Sequence, residues 1–297
     1  MSAPQTPQAA VRRIRRVRLM VSDLAGTTAF YEHALGFEVL RRENRSASEA
    51  SAVVLGLGAE EIELVRPSAS GAPYPARRSA SDPWFQHFAI VVSDMPAAYA
   101  RLGAVGGAQP ISQGGPQLLP PSTGSVTAYK FRDPEGHPLE LSFFPPGVGA
   151  PLWQARDRLF LGVDHSGIAV AELDVSVRFY RDLLGFAVAP ALVNSGPTQA
   201  RLDGLPEPVV GIVAVSLASG PHIELLAYRG APPSAAPPPR IGDIAATELE
   251  LLTLGVEAIV KKTASFGGTV EIPEPASALI RDPAGHLLRL KESRSAG

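Results

Sequence analysis

Cysteine is missing from all 297 residues. That removes disulfides, thiolate nucleophiles and thiolate metal ligands together. Any metal must be held by His, Asp or Glu, a donor set that favours borderline or hard divalent ions. An excess of one charge is missing too: 27 Lys and Arg against 29 Asp and Glu leave a formal charge of −2. Nothing global therefore points to nucleic acid or to an anionic membrane. No apolar run approaches the roughly 18 residues of a membrane span. The Arg-rich start "VRRIRRVRLM" (11–20) lacks the apolar h-region of a signal peptide; it reads as a basic edge leading into a first strand. These absences fit a cytoplasmic location. What remains is an ordinary globular composition, 45% hydrophobic and 19% charged, with length for two domains.

What is present is repetition. "FRDPEGHPLELSFF" (131–144) and "IRDPAGHLLRLKES" (280–293) are nearly one phrase written twice. One slot in it holds Glu140 in the first copy and Arg289 in the second. A second pair is "VRLMVSDLAGTTAFYEHALGFEVL" (17–40) and "SGIAVAELDVSVRFYRDLLGFAVA" (166–189). Each reads as an alternating strand, an acidic residue opening a helix, an F-Y pair and L-G-F, whose Gly suits a left-handed helix C-cap. The F-Y pairs, Phe30-Tyr31 and Phe179-Tyr180, read as helix-face core packing. "HFAIVVSDMPAAYARLGAVGG" (87–107) and "ELELLTLGVEAIVKKTASFGG" (248–268) follow the plan more loosely.

The chain thus divides into four strand–helix–strands units. Their last strands are "EIELV" (61–65), "PLELSFF" (138–144), "HIELLAY" (222–228) and "LLRLKE" (287–292). Residues 1–10 are expected as a disordered tail. A first domain covers 11–146, with modules near 12–67 and 84–145. After a linker at 147–158, a second domain covers 159–292, with modules near 160–229 and 241–292, and 293–297 form a tail. Pro-rich "RGAPPSAAPPPR" (229–240) is a stiff connector.

A βαβββ unit used four times, with His opening some copies and I/L-E-L closing them, resembles the vicinal-oxygen-chelate superfamily. That superfamily includes glyoxalase I, bleomycin resistance proteins and extradiol dioxygenases. The resemblance spans about residues 12 to 292. It implies an α+β fold: tandem glyoxalase-like domains whose four modules pair into two cupped eight-stranded mixed sheets, with helices outside. Each module would offer one cup-facing residue from its first strand and one from its last. In "PLELS" Leu139 and Leu141 face the helices while Glu140 faces the cup, where a carboxylate needs a metal or a cation.

Spacing gives the slots as Arg16 and Glu63, His87 and Glu140, His165 and Glu224, and Glu248 and Arg289. Asp243 is the alternative to Glu248, which keeps the helix register. Pairing modules one with two and three with four puts an arginine in each cup. Pairing two with three and one with four sorts the charges: His87, Glu140, His165 and Glu224 in one cup, Arg16, Glu63, Glu248 and Arg289 in a degenerate second. The second pairing is the one expected. The remaining histidines read as turn residues (His137, His286), a candidate neighbour of the site (His222) and an exposed helix position (His33).

The resemblance implies one divalent ion (Ni, Co, Zn, Mn or Fe(II)) held by His87, Glu140, His165 and Glu224, and a small-molecule substrate with vicinal oxygens. It implies isomerase, epimerase or lyase chemistry through a metal-bound enediolate, with Glu140 and Glu224 as the acid–base groups. An Fe(II) ring-cleaving dioxygenase and a ligand-sequestering resistance protein are the alternatives. Neither nucleic acid nor membrane is expected as a partner, and the chain is a monomer or homodimer. Loops 69–83, 108–124 and 229–241 are long, rich in Pro and Gly, and placed to act as lids.

Overall fold

Four alternating strand patterns, each with a helix after its first strand, build four modules. The computed structural model describes residues 10–44, 49–69, 71–230, 238–274 and 276–293. Residues 1–9 and 294–297 of the expected tails, and 231–237 of the connector, lie outside them; Ala10 already belongs to the first strand.

Module one runs β1 (Ala10–Met20), α1 (Leu24–Leu35), β2 (Glu38–Asn44), β3 (Glu49–Leu57) and β4 (Glu60–Pro67). Module two runs β5 (Phe85–Val92), α2 (Met95–Val105), short β6 (Gln109–Pro110) and β7 (Gln117–Leu118), β8 (Thr127–Arg132) and β9 (Pro138–Phe143). Module three runs β10 (Phe160–Ala169), α3 (Leu173–Arg178) with a π turn over Phe179–Leu183, β11 (Ala187–Val188) and β12 (Leu192–Ser195). An inserted helix α4 (Gly196–Asp203), β13 (Val209–Ser216) and β14 (His222–Arg229) complete it. Module four runs β15 (Glu248–Leu254), α5 (Val256–Thr263), β16 (Thr269–Glu274), β17 (Ser277–Arg281) and β18 (Leu287–Glu292).

The helix ends follow local chemistry. Asp23 caps α1 by accepting from Gly26 N at 3.0 Å. The glycines of the two L-G-F copies take positive φ, +71° at Gly36 and +82° at Gly185, a conformation that glycine adopts without steric cost. Among the described residues no helix is long and apolar enough to cross a membrane.

In every module the first strand lies parallel to the last: β1 with β4, β5 with β9, β10 with β14, and β15 with β18. Modules then join through antiparallel first strands, β1 with β15 and β5 with β10. One sheet therefore has the order β16-β17-β18-β15-β1-β4-β3-β2, made of modules one and four. The other, of modules two and three, has the order β11-β13-β14-β10-β5-β9-β8-β6, with β12 on β13 and β7 on β8. This is the expected pairing, with ten strands instead of eight in the second sheet because β7 and the β12–α4 insertion add short pieces at its margins. One continuous apolar core contains side chains from both sheets and from α1, α2, α3 and α5. Tyr31 and both members of the Phe179-Tyr180 pair are fully buried in it, and Phe30 is nearly so.

The repeated R-D-P-x-G-H turns link module two to module one and module four to module three. Asp133 Oδ1 accepts from the backbone N–H groups of Glu135, Gly136 and His137 at 2.8–3.0 Å, which fixes the turn. Its Oδ2 accepts from Tyr31 of α1 at 3.1 Å and from His137 Nδ1 at 2.9 Å. His137 Nε2 donates to the Met20 carbonyl at 3.0 Å. Glu135 accepts from the Ser22 and Asp23 backbone at the start of α1. The second copy repeats the grip, with Tyr180 donating to Asp282 at 3.0 Å and His286 to the Ala169 carbonyl at 2.7 Å. His137 and His286 do sit in turns, and they are buried inter-module clasps.

Candidate metal centre

Strand parity turns His87 (β5), Glu140 (β9), His165 (β10) and Glu224 (β14) toward one cup, the cavity of modules two and three. The imidazoles meet with Nε2 to Nε2 at 3.1 Å. Glu140 Oε2 lies 3.6 Å from His87 Nε2, and Glu224 Oε2 lies 3.6 Å from His165 Nε2. The ligand atoms of His87, His165 and Glu224 all lie within 4.8 Å of one another. The structure thus brings together all four residues that the sequence picked for this cup.

The residue before each histidine holds its far nitrogen. His87 Nδ1 bonds Gln86 Oε1, whose amide is oriented by Gln86 Nε2 donating to the Tyr228 hydroxyl at 2.9 Å. His165 Nδ1 bonds Asp164 Oδ2 at 2.9 Å, and Asp164 Oδ1 accepts from Trp153 Nε1 at 2.7 Å. With Nδ1–H donated outward, each Nε2 turns toward its counterpart, an arrangement common among metal-binding histidines.

The charges are arranged around this pair. Burial, helped by Lys130 and His165, holds His87 well below the ordinary imidazole range. For His165 burial pulls down, but Glu224, Asp164 and Glu140 outweigh it and push it up to about 9. Burial raises Glu140 against the pull of Lys130, His165 and Ser142. For Glu224 burial is outweighed by His165 and His222, and it is lowered. His222 stands beside the set, 3.9 Å from both Asp164 and Glu224.

These donors fit a metal. Around an ion with bonds of about 2.0–2.2 Å, neighbouring ligand atoms stand roughly 3.0–3.5 Å apart. The observed separations of 3.1 and 3.6 Å lie close to that interval. Two Nε2 atoms aimed at each other with two carboxylates beside them also call for a shared cation in chemical terms.

The sequence reading missed Lys130. It stands opposite Glu140 across the β8–β9 hairpin, where the other three modules have Val54, Ala214 and Leu279 opposite their last-strand slots. Its ammonium binds Asp203 of α4 at 2.7 Å and lies 3.9 Å from Glu140. Counting back from the R-D-P-x-G-H turn would have found it. The 108–124 loop does border the cup, through Leu119, Ser122 and Thr123, and α4 borders it alongside that loop, with Gln113 N donating to the Arg201 carbonyl at 2.8 Å. Loop 69–83 is not a lid there: Ala72 pairs with Asp243 and Ile244, and Tyr74 packs on His137.

The cup of modules one and four is filled by ion pairs. Glu248 occupies its expected slot, whereas Asp243 caps a turn outside the sheet. Arg289 holds Glu248 with two bonds, 2.6 and 3.0 Å, and Arg16 lies 3.1 Å from Glu63. The centre is a residue not picked from sequence, Arg18, which donates to Glu63 at 2.5 Å and also to Glu248. Glu250 joins from β15, 3.4 Å from Arg16. The expected four-residue cluster is therefore a larger one, with Arg16, Arg18, Glu63, Glu248 and Glu250 all buried. "RRVR" showed Arg16 and Arg18 on one strand face, the signal that could have found it.

Beyond the slots themselves, the cups differ at one further position per module, two residues after the first-strand slot. There it is Ala89 and Gly167 in the histidine cup, Arg18 and Glu250 in the other. A Cβ built on Gly167 would come within 2.4 Å of His87 Cε1. Glycine leaves room for the imidazole, and arginine takes the space itself.

Paired βαβββ modules with a His/Glu cup define the vicinal-oxygen-chelate class of protein. The sequence model of the Glyoxalase/Bleomycin resistance protein/Dioxygenase superfamily matches residues 13–141 and 162–290, and the chain belongs to that superfamily. No curated protein matches it. Glyoxalase I from Zea mays is similar in structure at 18% identity, with 96% of this chain and 93% of that chain covered and a TM-score of 0.62. A putative dioxygenase from Bacillus subtilis is similar at 14% identity, with 95% and 86% covered and a TM-score of 0.58. At such identities the likeness is one of fold.

Proposed function

We propose that this protein is a divalent-metal-dependent enzyme that binds a small molecule through two adjacent oxygens and catalyses an isomerase, epimerase or lyase reaction. One observation carries the reading: two inward-turned imidazole Nε2 atoms 3.1 Å apart, each with a carboxylate oxygen 3.6 Å away. His87, His165 and Glu224 would hold the ion, which when bound supplies Lewis-acid polarisation of a substrate oxygen. Glu140 has the surroundings of a base that moves a proton on the adjacent carbon. Its Oε1 is steadied by Ser142 Oγ at 2.6 Å, while Oε2 faces the histidines and Lys130. Lys130, pinned by Asp203, keeps Glu140 in place and compensates its charge. Glu224, beside His222, is placed to be the second acid–base group.

A second reading has its own support. His87, His165 and Glu224 alone form a two-histidine, one-carboxylate set, the pattern of non-haem Fe(II) oxygenases. Metal analysis of protein purified without chelator separates the two. Nickel, cobalt, zinc or manganese near one equivalent supports the first reading, and iron with catechol-dependent oxygen uptake supports the second. No metal after reconstitution overturns both and leaves a ligand-binding protein. Glu140→Gln is expected to keep the metal and lose about 10²–10⁴-fold in turnover, whereas Glu224→Gln loses the metal.

A further inference from the structure

The histidine cup opens into a cavity of about 370 Å³. At about 30 Å³ for each water, that is space for roughly a dozen, enough for one ring or a short branched chain beside the chelating oxygens. Much of its lining is apolar, including Leu119, Val126 and Phe144 from module two, and Leu192, Leu202 and Ile212 from module three. The only Lys or Arg lining it, among the described residues, is Lys130, already committed to Asp203 at 2.7 Å. Asp164, Glu140 and Glu224 line it as well, and Asn194, Gln199, Ser122 and Thr123 add only neutral polar groups.

We infer that the substrate of this site is a compact, uncharged molecule with an apolar body, of aryl or branched-alkyl type, attached to its vicinal oxygens. An anionic substituent on that body would lose hydration against the apolar lining and meet no free Lys or Arg there. An apolar body gains contact with the side chains of β12, α4 and the 119–126 segment. Selectivity is thereby written into the 108–124 loop and the β12–α4 insertion, the two places where the ten-stranded sheet departs from its partner. The inference rests on the reading of His87, His165 and Glu224 as the oxygen-chelating centre, and the test separates the two.

The full-length protein is loaded with cobalt(II) and titrated with two hydroxamates that share a bidentate head. One is benzohydroxamic acid, with a neutral aryl body; the other is succinic monohydroxamic acid, with a carboxylate tail. The visible cobalt spectrum reads the head, and calorimetry reads the affinity of the whole ligand. Benzohydroxamate is expected to bind about thirtyfold more tightly. Leu192→Lys, on a side chain 45% exposed at the rim, is expected to narrow that preference at least tenfold by placing a cation where the tail lies. Affinities within threefold of each other, a preference for the carboxylate, or an unchanged preference in Leu192→Lys overturns the inference while the spectral shift upholds the metal centre. A cobalt spectrum indifferent to both ligands overturns the chelating centre and, with it, the inference.

Discussion

At Gly167 a single missing methyl group decides whether a histidine can stand. Its backbone φ is ordinary, so the requirement is for space alone: a Cβ there would sit 2.4 Å from His87 Cε1. Gly167→Ala is expected to turn the His87 ring and weaken metal binding by about 10–100-fold, with little change in thermal stability. Cobalt titration of wild type and variant measures it; unchanged affinity would mean that β10 shifts to absorb the methyl. The sequence showed the four cup residues because each strand alternates and each I/L-E-L put a carboxylate where apolar parity broke. It was less open about Lys130 and Arg18. Both reach the cups from positions whose role depends on a hairpin register or on a neighbour two residues away, spacings that the sequence holds but whose outcome the folded sheet makes plain. Asp164 and Gln86 were visible as the residues before the histidines, but their bonds to Nδ1 depend on side-chain direction.

The R-D-P-x-G-H turn is legible as a turn and illegible as a clasp, because its partners Tyr31 and Met20 lie more than a hundred residues away. His137 uses both ring nitrogens as donors, to Asp133 and to the Met20 carbonyl. Burial opposes its charge, but Asp133, Glu135 and that carbonyl together hold the imidazole above its ordinary range. A folded-state value above the unfolded one of about 6.5 means stability that is fully present below pH 6.5. It is lost as pH rises through the folded value. His137→Gln is expected to cost about 1–3 kcal/mol at pH 6, and the gap to wild type should shrink by pH 9. Urea unfolding at the two pH values measures it; a gap that widens with pH would contradict the doubly donating ring.

Across the whole molecule, chain order and sheet order disagree. Residues 13–141 and 162–290 each match the family, yet each sheet takes one module from each half. The clasps tie module two to one and four to three, and the sheets tie two to three and one to four. Each module is thus held by two others. Charge sorting among the eight slots made that pairing legible, whereas the two extra strands came from insertions with no counterpart in the repeat. Split near residues 147–158, the halves are expected to stay unfolded or aggregate when expressed singly and to assemble when expressed together. Gel filtration and circular dichroism decide this, and two well-folded, monomeric halves would contradict the exchanged sheets.

The same nesting sets a timetable for the chain as it leaves the ribosome. The β5–β10 junction joins strands that begin 75 residues apart in numbering, Phe85 and Phe160, whereas β1 must wait for β15, from Ala10 to Glu248. Loop closure favours the nearer pair. The histidine cup is therefore expected to close while the C-terminal module is still being made, with β1 left as an open edge until the end. Pulsed hydrogen exchange during refolding should protect β5 and β10 before β1 and β15. The histidine-bearing half of the molecule would then serve as the template on which its ion-paired twin is completed.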